Sequence, residues 1–504
     1  MSMPATHLTA TMTLADLLNG LADAPPVPVH GLASDSRLIA AGDLFLACGG
    51  HDSHGLDFLQ QALDAGAVAV AFDASTADAP TESHDVPVIA VPNLARHLGA
   101  IANRFYKTPS AALQVVAVTG TNGKTTVAWM IAQCLERLGM PCGYVGTLGQ
   151  GIGEIEGGEG LTTPGAVELH AALAGFRDAQ ARYAAIEVSS HALAQHRVDG
   201  IAFDTVLFTN LSRDHLDYHG DMRSYAETKA SLFLEYAARH RIINLDSAFG
   251  AQLADRCGQD VITVSTTYDR TLNGRPFVFV RSVAAHEKGT TVKVETAWGE
   301  GEFSLSLPGD FNIANAASVL AFLLVQGVPI AEACSLLAEV DAPPGRMQRV
   351  AVTDGAPAVY VDYAHTPAAL DAVLRALRAH CHGSLWCVFG CGGERDKGKR
   401  PQMGHVAEHR ADRLVVTSDN PRRESPAAII KEIMAGLAKP HCATVIEDRA
   451  AAIAWAIGSA DAADSILIAG KGHESYQLQN GERRDFSDYG VAAANLAART
   501  KAAK

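Results

Sequence analysis

The stretch L-Q-V-V-A-V-T-G-T-N-G-K-T-T-V-A-W-M-I-A-Q-C-L-E-R-L-G, Leu113 to Gly139, decides the fold. Val115 to Val118 is a short apolar run of the buried-strand type, and apolar residues recur at helical spacing after the glycine loop. A strand, a tight loop and a helix N-terminus follow one another. Free backbone N–H groups and the helix dipole favour an anion there. Glycines let the backbone wrap phosphates, Lys124 can reach the β/γ-phosphates, and Thr125 can offer a hydroxyl to Mg²⁺. The loop is shorter than G-x-x-x-x-G-K-[ST], because Val118 stands where the first glycine would be. Gly120, Thr121, Asn122, Gly123, Lys124, Thr125 and Thr126 are therefore the candidate ATP-binding loop. The plainer reading is a glycine-rich turn with a chance lysine, and the Gly-Lys-Thr-Thr core in this setting speaks against it. A loop that binds ATP does not say what ATP is for: kinases, ATPases and ligases all use one.

Around this loop the chain alternates. A-R-Y-A-A-I-E-V, D-T-V-L-F-T-N and R-I-I-N-L-D read as further strands separated by helical stretches, which predicts a mostly parallel sheet with helices on both faces. From Phe277 to Leu307 the pattern changes to short β runs with polar breaks, an antiparallel patch. Two helices follow, within N-I-A-N-A-A-S-V-L-A-F-L-L-V-Q-G and I-A-E-A-C-S-L-L-A-E-V. A-P-P-G-R, Ala342 to Arg346, is a break. Beyond it A-V-Y-V-D-Y-A, S-L-W-C-V-F-G, R-L-V-V-T-S and S-I-L-I-A-G each precede a helix candidate, a second doubly wound unit without a phosphate loop. The first hundred residues read as a small α/β unit closed by a helix from His97 towards Pro109. The last four residues, K-A-A-K, are expected to fray.

At about 100–200 residues per domain, 504 residues suggest two to four domains. Three are expected: 1–98, 99–343 and 344–504. Hydrophobic residues make up 48%, enough for a core in each. A net charge of −14 argues against wholesale nucleic-acid binding while permitting a local basic pocket. The first residues have no signal-peptide pattern, and the longest apolar run, Ala316 to Val325, is about half of a membrane span. A cytoplasmic location and no membrane span are expected. The nine cysteines contain no C-x-x-C pair and read as buried free thiols rather than a zinc site.

Two further motifs follow strands. E-V-S-S-H, Glu187 to His191, puts a carboxylate at a strand end, where nucleotide enzymes place a magnesium ligand. T-N-L-S-R-D-H-L-D-Y-H-G, Thr209 to Gly220, crowds Arg213, Asp214, His215, Asp217 and His219 together; hard oxygens and imidazole suit Mg²⁺ or Mn²⁺. His215 is the candidate ligand, whereas Asp217 and His219 read as an ordinary charged turn. With F-N-I-A-N at Phe311 to Asn315, Gly345–Arg346, and D-Y-A-H-T-P at Asp362 to Pro367, these stretches resemble the Mur ligase superfamily, in the family's order, from about Gly120 to Glu474.

The resemblance implies an α/β enzyme of three domains: an N-terminal substrate domain, a central P-loop-type ATPase domain with a parallel sheet plus an antiparallel patch, and a C-terminal Rossmann-like domain. It implies an ATP-dependent ligase that activates a substrate carboxylate as an acyl phosphate, which an amine then attacks. Lys229 of S-Y-A-E-T-K would otherwise read as a solvated lysine. It matches the lysine that the family carbamylates, whose carbamate lies near magnesium with Thr125, Glu187 and His215. Lys124, Glu187, His215 and Lys229 are thus the implied catalytic set, and Asn312, Arg346, Asp362 and His365 implied ATP contacts.

T-S-D-N-P-R-R-E, Thr417 to Glu424, resembles the recognition motif of members that add meso-diaminopimelate to UDP-MurNAc-L-Ala-D-Glu. F-G-C-G-G-E-R-D-K-G-K-R-P from Phe389, A-G-K-G-H-E from Ala469 and D-S-R from Asp35 agree with it. On this likeness Arg422 grips the far carboxylate in a charge-assisted fork. Arg395, Asp419, Asn420, Pro421, Gly470 and Glu474 complete the diaminopimelate site, and Arg423 is a surface residue. Ser36 matches a uridine contact. Thr162, Thr163, Ser189, Gln195 and Arg197 match muramoyl-dipeptide contacts, the last two on the helix after E-V-S-S-H. A monomer is expected. Lysine-adding and folylpolyglutamate-type ligases, and a simple NTPase, are the alternatives.

Overall fold

The computed structural model describes residues 11–50, 53–82, 84–158, 160–267, 274–286, 289–350 and 355–502, apart from the side chains of 500–502. The chain divides into two compact units. The first comprises residues 1–124, 135–243 and 247–261, and the second 125–134, 244–246 and 262–504.

The first unit opens with four parallel strands in sequential order: β1 (Gly31–Ala33), β2 (Asp43–Ala47), β3 (Ala69–Asp73) and β4 (Val88–Val91). Strands β2 and β3 are buried throughout. Leu44, Leu46, Ala69 and Ala71 pack on one face with Leu94, Ile101 and Phe105 of α1 (Leu94–Phe105). Phe45, Ala47, Val70 and Phe72 pack on the other with Leu59 and Ala62. Burial on both faces makes these strands continuous apolar runs rather than alternating ones.

The phosphate-loop strand β5 (Gln114–Thr119) leads into α2 (Lys124–Arg137). After them come the hairpin β6 (Cys142–Gly146) and β7 (Gly149–Ile152), then α3 (Ala166–Asp178), β8 (Tyr183–Glu187), α4 (Ser190–Ala194), β9 (Phe203–Phe208), α5 (Met222–Leu234) and β10 (Ala238–Asn244). Their order is β10–β9–β5–β8–β6–β7, parallel except for the terminal hairpin. The sequence motifs therefore leave the carboxyl ends of neighbouring strands, where ligands bind in open α/β sheets.

In the second unit β11 (Ile262–Ser265) runs parallel to β12 (Phe277–His286), and β13 (Gly289–Thr296) and β14 (Gly299–Leu305) complete the antiparallel patch. Helices α6 (Asp310–Val325) and α7 (Ile330–Ala338) follow. The C-terminal sheet contains β15 (Ala358–Asp362), β16 (Leu385–Phe389), β17 (Arg413–Val416), β18 (Ala443–Val445) and β19 (Ser465–Ala469) in the order β15–β19–β16–β17–β18, all parallel. Period-2 alternation divides its side chains. Val359, Val361, Trp386, Val388, Ile466 and Ile468 face one core, while Leu385, Phe389, Leu414, Val416 and Leu467 face the other. A small hairpin, β20 (Tyr476–Gln479) and β21 (Glu482–Asp485), precedes the last helix. That helix ends at Ala502, so the expected fraying concerns in part residues outside the described ones.

Sequence reading missed β1, β4, β6, β7, β11, β18, β20 and β21. In β6 and β7, glycines interrupt the apolar signal; a Cβ on Gly143 would collide with the Phe176 ring. β11 is four residues long, and β20 and β21 are polar hairpin strands. All nine cysteines are free, but only Cys134, Cys142, Cys334, Cys387 and Cys391 are buried, and Cys442 is exposed. Cys387 and Cys391 lie in the apolar core, their thiols pushed up to about 12 by burial. Cys387→Ser and Cys391→Ser should leave turnover largely intact while costing about 1–3 kcal/mol in stability. Urea denaturation and metal analysis check this, and a large loss of bound metal would refute the thiol reading.

Candidate active site

The phosphate loop is braced from behind by the start of the T-N-L-S segment. Thr121 N donates to Asn210 O at 2.9 Å, and Thr209 N to Thr119 O at 3.0 Å. Asn122 N donates to Asn210 Oδ1 at 3.0 Å, and Thr209 Oγ1 to Asn122 O at 2.6 Å. Gly120 has φ +148°, and a Cβ there would collide with Thr209 Oγ1, so this close approach requires glycine. Lys124 Nζ donates to Gly120 O and Thr121 O, both at 2.9 Å.

Lys229, on α5, is 1% exposed and also donates to Gly120 O, at 2.9 Å. Its amine lies 4.8 Å from the centre of the Tyr225 ring. Burial first, and then the neighbouring Lys124 charge, hold it well below the usual lysine range, against the pull of Asp214. Both influences favour the uncharged amine over the ammonium.

Glu187 ends β8 and is fully buried. Tyr144 OH donates to its Oε1 at 2.5 Å and Thr147 N at 2.9 Å, while Thr147 Oγ1 donates to Oε2 at 3.2 Å. A Cβ on Gly146 would collide with this carboxylate. His215 stands in the left-handed region at φ +53°, half exposed, with Asp214 Oδ2 at 3.5 Å. Its ring is 4.9 Å from that of His191, which also packs on Tyr218 at 4.2 Å and His219 at 5.6 Å. Burial, then His215 and His219, lower the His191 pKa. Ser190 Oγ lies 2.9 Å from His219 Nε2.

The five residues assigned to the muramoyl-dipeptide form one network. Thr163 Oγ1 donates to Glu187 O at 2.7 Å and accepts from Ser189 N at 3.0 Å. Arg197 Nη1 donates to Thr163 O at 2.8 Å, and its Nε to Gln195 Oε1 at 3.1 Å. Thr147 Oγ1 lies 3.2 Å from Thr162 Oγ1, within hydrogen-bond reach. Gln195 and Arg197 are not on the helix as expected: α4 stops at Ala194, and the chain turns there to bring Arg197 back over Thr163. Ser36 lies apart from this network, with its hydroxyl on Gln61 Oε1 at 3.3 Å.

In the second unit Asp362 is buried at the end of β15 and accepts from Met347 N and Ala364 N, both at 2.7 Å. Burial raises its pKa, against the nearby Arg346. The Arg346 guanidinium lies 4.5 Å from the Tyr363 ring centre, and Tyr363 packs on His365 at 4.5 Å. These residues therefore form one cluster. Asn312 uses its amide inside α6, donating to Pro308 O at 2.9 Å and accepting from Asn315 Nδ2 at 3.3 Å.

The loops after β16, β17 and β19 meet. Asn420 Nδ2 donates to Glu474 Oε2 at 2.7 Å, and Gly393 N to Asn420 O at 2.9 Å. A Cβ on Gly470 would reach within 2.6 Å of Asp419 Oδ2. Arg422 has φ +55°, and its Nη1 donates to Gly393 O at 2.6 Å. A Cβ built on Gly392 would lie 3.2 Å from Arg422 Nη1 and 3.9 Å from Arg395 Cγ, so both arginines border this glycine. Arg423 is exposed, as expected. Glu424 is structural: Arg400 Nη1 and Nη2 donate to it, both at 3.0 Å, and hold its carboxyl down at about 2.

Residues 28–106 match the family model "Mur ligase family, catalytic domain", residues 118–323 "Mur ligase middle domain", and residues 345–472 "Mur ligase, glutamate ligase domain". The chain belongs to the Mur ligase family. It is 44% identical, over 98% of its length and 99% of the relative, to the UDP-N-acetylmuramoyl-L-alanyl-D-glutamate--2,6-diaminopimelate ligase of Xanthomonas campestris pv. campestris strain 8004. The Pseudomonas aeruginosa protein of that name is 46% identical, over 93% of this chain and 95% of its own. A solved structure of a ligase with the same name matches with a TM-score of 0.70 at 32% identity, covering 97% of this chain and 99% of that one.

In this Mur ligase, sequence reading overlooked the groups that hold the site residues in place. Tyr144 and Thr147 fix Glu187. Arg449, fully buried with Asp488, donates to Ser418 O at 3.1 Å and Ala469 O at 3.0 Å, joining the loops after β17 and β19. Lys471 is fully buried beneath Asn420 and Glu474. Its place inside A-G-K-G-H-E was the only signal.

Proposed function

We propose that this Mur ligase uses ATP to join meso-diaminopimelate to UDP-MurNAc-L-Ala-D-Glu, giving the UDP-MurNAc-tripeptide of peptidoglycan synthesis with release of ADP and phosphate. The observation that carries the substrate choice is the convergence of Asp419, Asn420 and Arg422 with Glu474 and with Arg395 beside Gly392. Arginine forks and a carboxylate suit a ligand whose far end carries both a carboxylate and an ammonium. The names of relatives at 44–46% identity support the same reading.

The phosphate loop, Gly120 to Thr126, holds ATP, with further contacts from Asn312, Arg346, Asp362 and His365. Ser36 serves the uridine end, and Thr162, Thr163, Ser189, Gln195 and Arg197 the muramoyl-dipeptide. Lys124 stabilises charge as the substrate carboxylate becomes an acyl phosphate and as phosphate leaves on attack by the amine. Thr125, Glu187, His215 and a carbamate on Lys229 would hold magnesium, which when bound neutralises phosphate oxygens. Among the described residues no three His, Cys, Asp or Glu side chains gather as a metal site. Glu187 and His215 thus need an added oxygen donor, which carbamylation of the buried Lys229 supplies. The proposed domains are 1–98, 99–343 and 344–504, in a monomer working in the cytoplasm without nucleic acid. Among the described residues no helix is long and apolar enough to cross a membrane.

Phosphate release from ATP with UDP-MurNAc-L-Ala-D-Glu, comparing meso-diaminopimelate with L-lysine, tests this. Release with diaminopimelate alone is the expected result. Release with lysine would keep the ligase and remove the meaning given to Arg422. Release that needs no amine would favour a simple NTPase.

A further inference from the structure

Lys471 has no role in the scheme above, yet it is 0% exposed inside the recognition site. Its Nζ donates to Asn420 Oδ1 at 3.0 Å and Glu474 Oε2 at 2.8 Å, and lies 5.5 Å from the Tyr476 ring centre. A buried ammonium is costly unless its partners are well placed, and here an amide oxygen and a carboxylate supply them. Two donors, Lys471 and the Asn420 amide, converge on Glu474 Oε2. Leu478 N also donates to Asn420 Oδ1, at 3.0 Å, so the amide cannot flip without losing three bonds. One carboxylate oxygen of Glu474 is tied inward. Among the described residues, no hydrogen bond occupies the other.

We propose that Lys471 is a positioning residue for amino-acid selection: it fixes the Glu474 carboxylate so that Oε1 receives the ammonium at the far end of the incoming diamino acid. This rests on the diaminopimelate reading above. A carboxylate held by a rigid cation and amide loses little freedom when it takes a ligand, and that preorganisation appears as affinity. Lys471 acts through Glu474, which its Nζ holds together with Asn420.

The test is a double-mutant cycle on the full chain with Lys471→Met, Glu474→Gln and their combination, reading KM and kcat for each substrate. Lys471→Met should raise the diaminopimelate KM about 10- to 100-fold, with kcat and the KM values for ATP and the UDP-sugar nearly unchanged. The double variant should be no worse than Glu474→Gln alone. Multiplying effects would overturn the proposal, as would equal losses toward all three substrates. A substrate-side arm covers a poorly folding methionine variant. 2-Aminopimelate has both carboxylates but no far ammonium, so Lys471→Met and the milder Lys471→Gln should leave its KM unchanged. An equal penalty on 2-aminopimelate and diaminopimelate would refute the role. Failure of the unsubstituted enzyme to use diaminopimelate would instead refute the functional reading, before any variant is compared.

Discussion

Lys229→Ala should lower turnover by on the order of 10²-fold or more, the loss typical when a charge-stabilising group is removed from a reaction centre. A lysine 1% exposed, next to Lys124, is held well below its usual pKa, which favours the uncharged amine over the ammonium. An uncharged amine adds carbon dioxide; an ammonium does not. The product is a carboxylate where the sequence offers none, and alanine cannot form it. Formate, acetate or propionate should restore part of the activity by entering the space left behind. A second readout is independent of turnover. Isotopically labelled carbon dioxide should give a carbamate resonance that Lys229→Ala lacks. The sign in pH follows from the shift: carbamate should be lost as acidification protonates the amine, at a pH below the ordinary lysine range. A fully active alanine variant, or no resonance in the unsubstituted enzyme, would refute the carbamate.

Arg422→Ala should raise the diaminopimelate KM by on the order of 10²–10³-fold while the ATP KM stays constant. Truncating one partner of a buried, hydrogen-bonded charge pair costs about 2–5 kcal/mol, which sets that range. One guanidinium nitrogen is anchored on Gly393 O. Among the described residues the Nε–Nη2 edge has no partner, so it can receive a carboxylate in a fork. Position 422 has φ +55°, a conformation equally strained for arginine and alanine, so this substitution isolates the side chain. Arg422→Gly would add a backbone effect and is the poorer test. Lysine in place of diaminopimelate should suffer in the unsubstituted enzyme, because its far end leaves the arginine desolvated and unmatched. An unchanged KM in Arg422→Ala would remove the recognition role.

The motifs were legible because each is a short polar run attached to an apolar strand, and strand ends are where an open α/β sheet puts its chemistry. Gly120 to Thr126 and Glu187 are read on that basis, and Asp419 to Arg422 on resemblance to a family motif. Their supports were not legible. Asn210 bonds Asn122 across 88 residues, and Asn420 bonds Lys471 across 51, separations for which local periodicity carries no signal. Thr209 and Asn210 were quoted within a motif, but nothing in their spacing announced that they brace the phosphate loop. Gln195 and Arg197 are expected on the helix after E-V-S-S-H, but α4 ends before them. The glycine-rich strands β6 and β7 escaped because a tight fit against Phe176 replaces the apolar side chains that mark a strand.

Arg422 is stitched into a hairpin: its N donates to Leu478 O at 3.0 Å, and its O accepts from Asn480 N at 2.6 Å. The turn, with φ +53° at Asn480 and +81° at Gly481, thereby sets the register of the motif arginine. The hairpin and the motif thus form a single structural unit. A one-residue insertion between Gln479 and Glu482 would leave the fold standing and shift the guanidinium. On the proposed role of Arg422, an exchange of amino-acid preference between relatives should therefore carry both segments together.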